Sequence, residues 1–376
     1  MLKLSVFLAL AAAASARKCS NITVPVSISA RNAVFSIDMP KTKIEVVEFF
    51  LNLSYQGQNY TDSIVKNYST VSGDYQLAAT YCEPDSGPGS VLQILTHGIG
   101  FDRSYWDTSY NNYNYSYVSR AVDEYGYSTL TWDRLGVGES SKGDPLAEIQ
   151  IFLEIEALYE LTRTVRKGKG GNICTSFEKV VHIGHSFGSS ITNALANTFP
   201  DGTDGIVLTG FSQVSAYVGY FALGGNFIPV TDIPALSHRY PAGYVGAADI
   251  NALQTNFFSP GDFDPALLHL AFRSGEAASP GEILTIGAGE GSSNAFSGPV
   301  LLITGERDIP FCGGNCLATS AINGSASNLI VASKQYFENA SPFNATVVPN
   351  AGHGLNLGYS HSITYATILD FLDTHV

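Results

Sequence analysis

Apolar residues recur along this chain in two rhythms. Short runs rich in β-branched residues predict strands at 23–29, 44–53, 75–81, 91–96, 128–132, 179–184, 205–209, 300–304 and 345–348. Longer stretches have helical period. The clearest is 147–166, where Ile149, Phe152, Leu153, Ile155, Leu158 and Leu161 recur on one face while Glu and Arg fill other positions. Further helices are predicted at 117–125, 189–198, 326–337 and 362–374. The early strands follow one another through short turns and the later ones are separated by helices, which predicts an α/β fold, a largely parallel sheet covered by helices. Between 211 and 297 the rhythm fails. That stretch is rich in Gly, Pro, Phe and Tyr, poor in charge and too long for an ordinary loop, so it is read as an inserted cap. The chain then divides into 1–16, a core 17–210, the cap 211–297 and a core 298–376.

Composition narrows this picture. With 45% hydrophobic and 14% charged residues, the 376-residue chain can bury a large core and matches no disordered, collagenous or coiled-coil composition. Its net charge of −13 repels phosphate backbones and anionic lipid, so no nucleic-acid partner is expected. The first residues read as an export leader: Lys3, an apolar run over 4–14, then the small-residue site Ala14-Ser15-Ala16. The run is shorter than the ~20 residues needed to cross a bilayer, and no later segment is long and apolar enough. A secreted, extracellular protein without stable membrane insertion is therefore expected, its mature part starting near Arg17.

Acceptor triplets for N-glycosylation at Asn21, Asn52, Asn59, Asn67, Asn114, Asn323, Asn339 and Asn344 agree with export. So does the cysteine pattern. An oxidising compartment favours a bridge between Cys312 and Cys316, close together in a Gly-rich loop. Cys19 and Cys82 are candidates for a second bridge, which leaves Cys174 over, but spacing does not decide the connectivity. Zinc at the close pair is the competing reading, weakened because no second Cys or His pair of matching spacing accompanies it.

The chemistry is concentrated after one strand. Residues 179–183 run into Gly184-His185-Ser186-Phe187-Gly188 and then into the helix-compatible 189–196. A G-x-S-x-G turn between strand and helix strains the central Ser, and its glycine neighbours allow chains to pass closely. With these residues the chain resembles the α/β-hydrolase superfamily, in its secreted serine esterase and lipase-like branch, from about Val91 to the end. The resemblance implies an α/β-hydrolase fold: a mostly parallel central sheet flanked by helices, with the cap inserted between the sixth and seventh core strands.

Three further segments carry the likeness. Val91 to Gly100 is similar to the family's strand and His-Gly turn, which implies an oxyanion hole built from the amides of Ile99 and Phe187. Asp133-Arg134-Leu135-Gly136-Val137-Gly138-Glu139-Ser140 resembles a structural turn and is assigned no chemistry. Third, the acid and base follow the Ser in the family's order. The strand 300–304 delivers Glu306 and Asp308, of which Asp308 matches the family's position better, leaving Glu306 as a solvated loop residue or a partner for Arg307. His353, in Ala351-Gly352-His353-Gly354, is preferred as base over His361, which is assigned to surface or packing. His97 and His185 are expected to shape the hole and the turn.

A Ser hydroxyl is a poor nucleophile until an imidazole takes its proton, and a carboxylate holds that imidazole in the useful tautomer. Ser186, His353 and Asp308 therefore form the candidate triad. Phe211, Tyr217, Tyr220, Phe221, Phe227, Tyr240, Tyr244, Phe257 and Phe258 suggest an apolar pocket under the cap, and hence an apolar or weakly polar small-molecule ester as substrate. Lyases, C–C hydrolases and aminopeptidases on the same triad, and a non-catalytic binding protein on this scaffold, are the rival readings. No nicotinamide, flavin or phosphate fingerprint follows a strand, so no cofactor is expected, and oligomeric state is left open.

Overall fold

The computed structural model describes residues 17–376 except 172, 215–216, 289 and 323–324. The export leader at 1–16 and the acceptor Asn323 lie outside the described residues. Eight strands form one sheet in the order β1-β2-β4-β3-β5-β6-β9-β10. They are β1 (Arg17–Phe35), β2 (Val65–Pro84), β3 (Val91–Thr96), β4 (Ser128–Trp132), β5 (Lys179–His185), β6 (Gly205–Thr209), β9 (Val300–Gly305) and β10 (Phe343–Val348). A separate antiparallel pair, β7 (Phe227–Pro229) and β8 (Val245–Ala247), lies in the insertion. From β4 to β10 the large sheet is parallel throughout, while β1 and β2 form an antiparallel edge ribbon.

The burial patterns explain this division. Every residue of β3, β4, β6 and β9 is buried, as strands covered on both faces require. β6 and β9 send Ile206, Leu208, Val300 and Leu302 into one apolar cluster and Val207, Leu301 and Ile303 into another. β1 instead alternates, burying Ile22, Val24, Val26 and Ile28 while Thr23, Pro25, Ser27 and Ser29 stay exposed, and its edge position tolerates Pro25. The ribbon far exceeds the predicted 23–29 and 75–81, because a strand wetted on one face needs no continuous apolar run.

The helices used below are α1 (Lys43–Leu53), α2 (Ile151–Arg166), α3 (Phe187–Thr198), α4 (Val218–Gly224), α5 (Ile250–Phe257), α6 (Pro265–Arg273), α7 (Pro280–Thr285) and α8 (His361–His375). The first corrects the predicted strand at 44–53. Thr42 and Glu45 close a reciprocal capping box, and Val46, Phe49 and Phe50 recur at helical spacing on the buried face. Ile44, Val47 and Leu51 are exposed on the opposite face, so apolar residues occupy both sides of the helix and the run looks like a strand. The helix predicted at 326–337 is also corrected, to a short 3-10 segment at Val331–Tyr336. Asn328 Oδ1 takes the amides of Ile330 and Val331 while the Leu329 amide bonds to Cys316, and these contacts compete with a helical start.

The insertion carries α4, β7, β8, α5, α6 and α7 between the sixth and seventh strands of the sheet. α1, from the connection between β1 and β2, packs against it, with Phe50 and Phe227 stacked at 4.6 Å. Cys19 pairs with Cys82 across the ribbon and Cys312 with Cys316, leaving Cys174 free and exposed. The seven described acceptor asparagines are all exposed.

Two expectations follow. The Cys19–Cys82 bridge closes a 63-residue separation and the Cys312–Cys316 bridge one of 4. Replacing the first pair by Ala is expected to cost about 4 kcal/mol and the second about half as much, by urea denaturation. Buried His182 lies between Thr162 and Thr203, and burial, with Arg166 adding, pushes its pKa down to about 3. The unfolded chain protonates this group below about 6.5 and the folded one does not, so its contribution is present above that pH and lost as pH falls. The stability difference between pH 7 and pH 5 should shrink by about 2 kcal/mol in His182→Gln.

Candidate active site

Ser186 stands between β5 and α3 with φ 55° and ψ −121°, a conformation that typically costs 1–3 kcal/mol outside glycine. The turn holds it there. Its amide donates to Thr209 O at 2.9 Å, and the Ser189 hydroxyl donates to the same carbonyl at 2.8 Å. The flanking glycines are required by close approach: a Cβ on Gly184 would lie 2.3 Å from Gly188 O, and one on Gly188 2.3 Å from Thr96 O. Ser186 is 5% exposed.

Asp308 follows β9 and His353 follows β10, so both project from the sheet rim at which β5 delivers Ser186. Their side chains are fully buried. His353 Nδ1 lies 2.8 Å from Asp308 Oδ2, which also accepts from the Thr304 hydroxyl at 2.5 Å, while Oδ1 accepts from the Phe311 amide at 2.8 Å. A carboxylate so engaged places the imidazole proton on Nδ1 and leaves Nε2 as the basic nitrogen. Nε2 is buried and has no hydrogen-bond partner among the described residues, the Ser186 hydroxyl included.

The backbone at 209–210 sits between nucleophile and base. Thr209 O holds the Ser186 amide, and a Cβ on Gly210 would come within 2.9 Å of Cε1 of both His185 and His353. Gly352 and Gly354 allow the loop carrying His353 to lie on the inserted segment. A Cβ on Gly352 would meet Phe257 O at 2.7 Å, and the Gly354 amide donates to that carbonyl at 2.8 Å. The His353 ring is walled by His185, Phe257 and Phe311, with ring centroids at 4.9, 5.3 and 5.7 Å.

The loop His97-Gly98-Ile99 passes directly beside the Ser, since a Cβ on Gly98 would lie 2.8 Å from Ser186 Cβ. The amides of Ile99 and Phe187 have no acceptor among the described residues, and Phe187 occupies the first turn of α3, where such orphan donors are expected. His97 Nδ1 bonds to Gly98 O at 2.9 Å and its Nε2 accepts the Arg134 amide at 3.1 Å. Burial, with Arg134 adding, holds the His97 pKa well below its ordinary value. His185 stacks on Tyr105 at 4.4 Å, and burial, then the neighbouring His353, keeps it neutral as well.

The remaining candidates separate cleanly. Glu306 pairs with neither His353 nor Arg307; its carboxylate accepts the amide of Asn350, in the turn before His353. His361 is buried against Tyr115 and Tyr365. The turn after β4 is held by buried Asp133, which accepts from the amides of Arg103 and Glu139. Sequence reasoning passed over Tyr105 and the charged group around Arg134, and named Phe257 only as a pocket aromatic and not as a wall of the His353 ring, because these roles arise only from tertiary placement. Among the described residues the one grouping of possible metal ligands is Cys19, Cys82 and Asp107, and its two cysteines are bonded to each other.

A mostly apolar cavity of about 540 Å³ adjoins this rim. Ile99 and Gly100 line it, and so do Phe221, Phe227 and Phe257. The other six aromatics noted in the insertion lie elsewhere, as with Phe211 on Phe311 and Phe258 on Phe263.

Comparison places this fold among known proteins. In three dimensions the chain is similar to a thermophilic esterase from Thermogutta terrifontis, with TM-score 0.55 and 16% identity over 81% of this chain and 96% of that one. It is also similar to a bromoperoxidase from Bacillus anthracis, with TM-score 0.52 and 17% identity over 80% and 96%, and to epoxide hydrolase A from Mycobacterium thermoresistibile, with TM-score 0.51 and 16% identity over 80% and 96%. At such identities the likeness speaks to the fold alone. No curated protein matches the sequence. The sequence profile of the alpha/beta hydrolase family, however, matches residues 93–362, and the chain belongs to that family.

Proposed function

We propose that this chain is a secreted serine hydrolase that cleaves a carboxylic ester of an apolar or weakly polar small molecule through an acyl-enzyme. The observation that carries the reading is the buried Asp308–His353 hydrogen bond, which leaves a basic, unpartnered Nε2 at the rim where strained Ser186 is held. In the proposed reaction His353 Nε2 takes the Ser186 proton as Oγ adds to the ester carbonyl. The carbonyl electron pair moves onto oxygen, where the amides of Ile99 and Phe187 receive it. His353 then returns the proton to the departing alcohol, and water, activated by the same nitrogen, releases the acid. Asp308 keeps the imidazole in the productive tautomer throughout.

The cavity beside Ile99 supports an uncharged substrate, since its walls are mainly Phe, Ile, Leu and Ala side chains. Two disulfides and the exposed acceptor asparagines support export. A lyase, a C–C hydrolase, an aminopeptidase or a non-catalytic binding protein would use the same scaffold differently, and an ester panel beside peptide substrates distinguishes them.

Wild-type protein is expected to react with a fluorophosphonate probe and to turn over aryl or aliphatic esters, while Ser186→Ala abolishes labelling. Asp308→Asn should lower kcat by about 10⁴-fold, because the imidazole would present the wrong tautomer. Cleavage of peptides with no ester turnover would replace the ester reading, and absence of labelling would favour a binding protein.

A further inference from the structure

Arg134 is fully buried, and so are the two carboxylates that hold it. Its Nη1 donates to Glu154 at 2.8 and 3.1 Å and also to Glu282. Glu154 lies on α2 of the core and Glu282 on α7 of the insertion. Glu282 is fixed a second time, since its other oxygen accepts the Ser279 amide at 2.8 Å. A buried ion pair typically adds little stability over apolar packing of the same volume, so its presence calls for another account.

The surroundings of Arg134 supply one. Its backbone amide holds His97 Nε2, and His97 Nδ1 in turn bonds Gly98 O, one residue before Ile99. Its guanidinium carbon lies 4.8 Å from the centre of the buried Phe187 ring, within cation–π range. Nε and Nη2 have no hydrogen-bond partner among the described residues. Arg134 therefore touches the segment of the free Ile99 amide through its backbone and the residue of the free Phe187 amide through its side chain.

We infer that Arg134 is a positioning residue, holding the Ile99 and Phe187 amides at the separation an oxyanion needs, with Glu282 making the inserted segment part of the clamp. The inference rests on the serine-hydrolase reading above. Charge balance agrees with the geometry: burial raises the Glu154 carboxyl well above the usual range, with Glu282 adding to the rise and Arg134 opposing it. One proton held between the two carboxylates leaves the group neutral, so that it can stay buried.

The test measures p-nitrophenyl ester hydrolysis per active site, with sites counted by fluorophosphonate titration, and the Ki of an arylboronic acid, which adds to a Ser hydroxyl as a tetrahedral adduct. Arg134→Met is expected to lower kcat per titrated site about 100-fold, as loss of one oxyanion donor does, with KM changed less than about threefold. The boronate Ki should rise in the same proportion, and Arg134→Lys should fall between variant and wild type. In a Phe187→Leu background the effect of Arg134→Met should be much smaller, because the ring through which the guanidinium acts is gone. If Arg134→Met does not fold, Arg134→Lys and Glu282→Gln carry the same comparison. The inference is overturned if only the titratable fraction falls while per-site kcat and boronate Ki stay at wild-type values, or if the Arg134 and Phe187 losses multiply independently. A wild-type protein that neither labels nor hydrolyses any ester removes the hydrolase reading itself, and this inference with it.

Discussion

The hydrogen bond between Asp308 and His353 lies out of water, and much of the surrounding structure serves to keep it so. A carboxylate in such a place needs its oxygens satisfied, and Thr304 and the Phe311 amide do this from the same strand end and the turn that follows. The imidazole needs walls, which come from His185, Phe257 and Phe311. It also needs its backbone to approach others closely, which Gly352 and Gly354 permit against 257–259. The same logic governs the other contact of the Ser186 turn, where Gly98 and Gly188 let the segment 96–99 lie directly against it.

The insertion thus belongs to the site as much as to its cover. Phe257 belongs at once to the wall of the apolar cavity, to the ring cluster around His353 and to the backbone on which the His353 loop rests. Glu282 reaches from the same insertion to Arg134. α1 enlarges the assembly from the other end of the chain, through Phe50 on Phe227. Phe257 is thus the residue whose repacking would alter both the shape of the cavity and the wall of the base.

The sequence shows much of this and hides the rest for identifiable reasons. β3, β4 and β6 lie within the bounds predicted for them, because strands buried on both faces form short uncharged runs, even where these include buried polar residues such as Gln93, Ser128 and Thr131. The 44–53 run deceived for the opposite reason, its outer face being apolar without being buried. There the Thr42 and Glu45 capping pair was the readable signal for a helix. Ser186, Asp308 and His353 stand out because each ends a strand-like run and is followed by small or turn-forming residues. Arg134, Glu154 and Glu282 do not, because three residues far apart in sequence meet only through tertiary packing. An Arg inside a turn reads as solvated until its burial is known.

The geometry at the rim is tested most directly by a crystal structure of the fluorophosphonate adduct. The account predicts phosphorus on Ser186 Oγ, with the phosphoryl oxygen within hydrogen-bond reach of the Ile99 and Phe187 amides and His353 still bound to Asp308. An adduct on another residue, or one whose phosphoryl oxygen turns away from both amides, would contradict it.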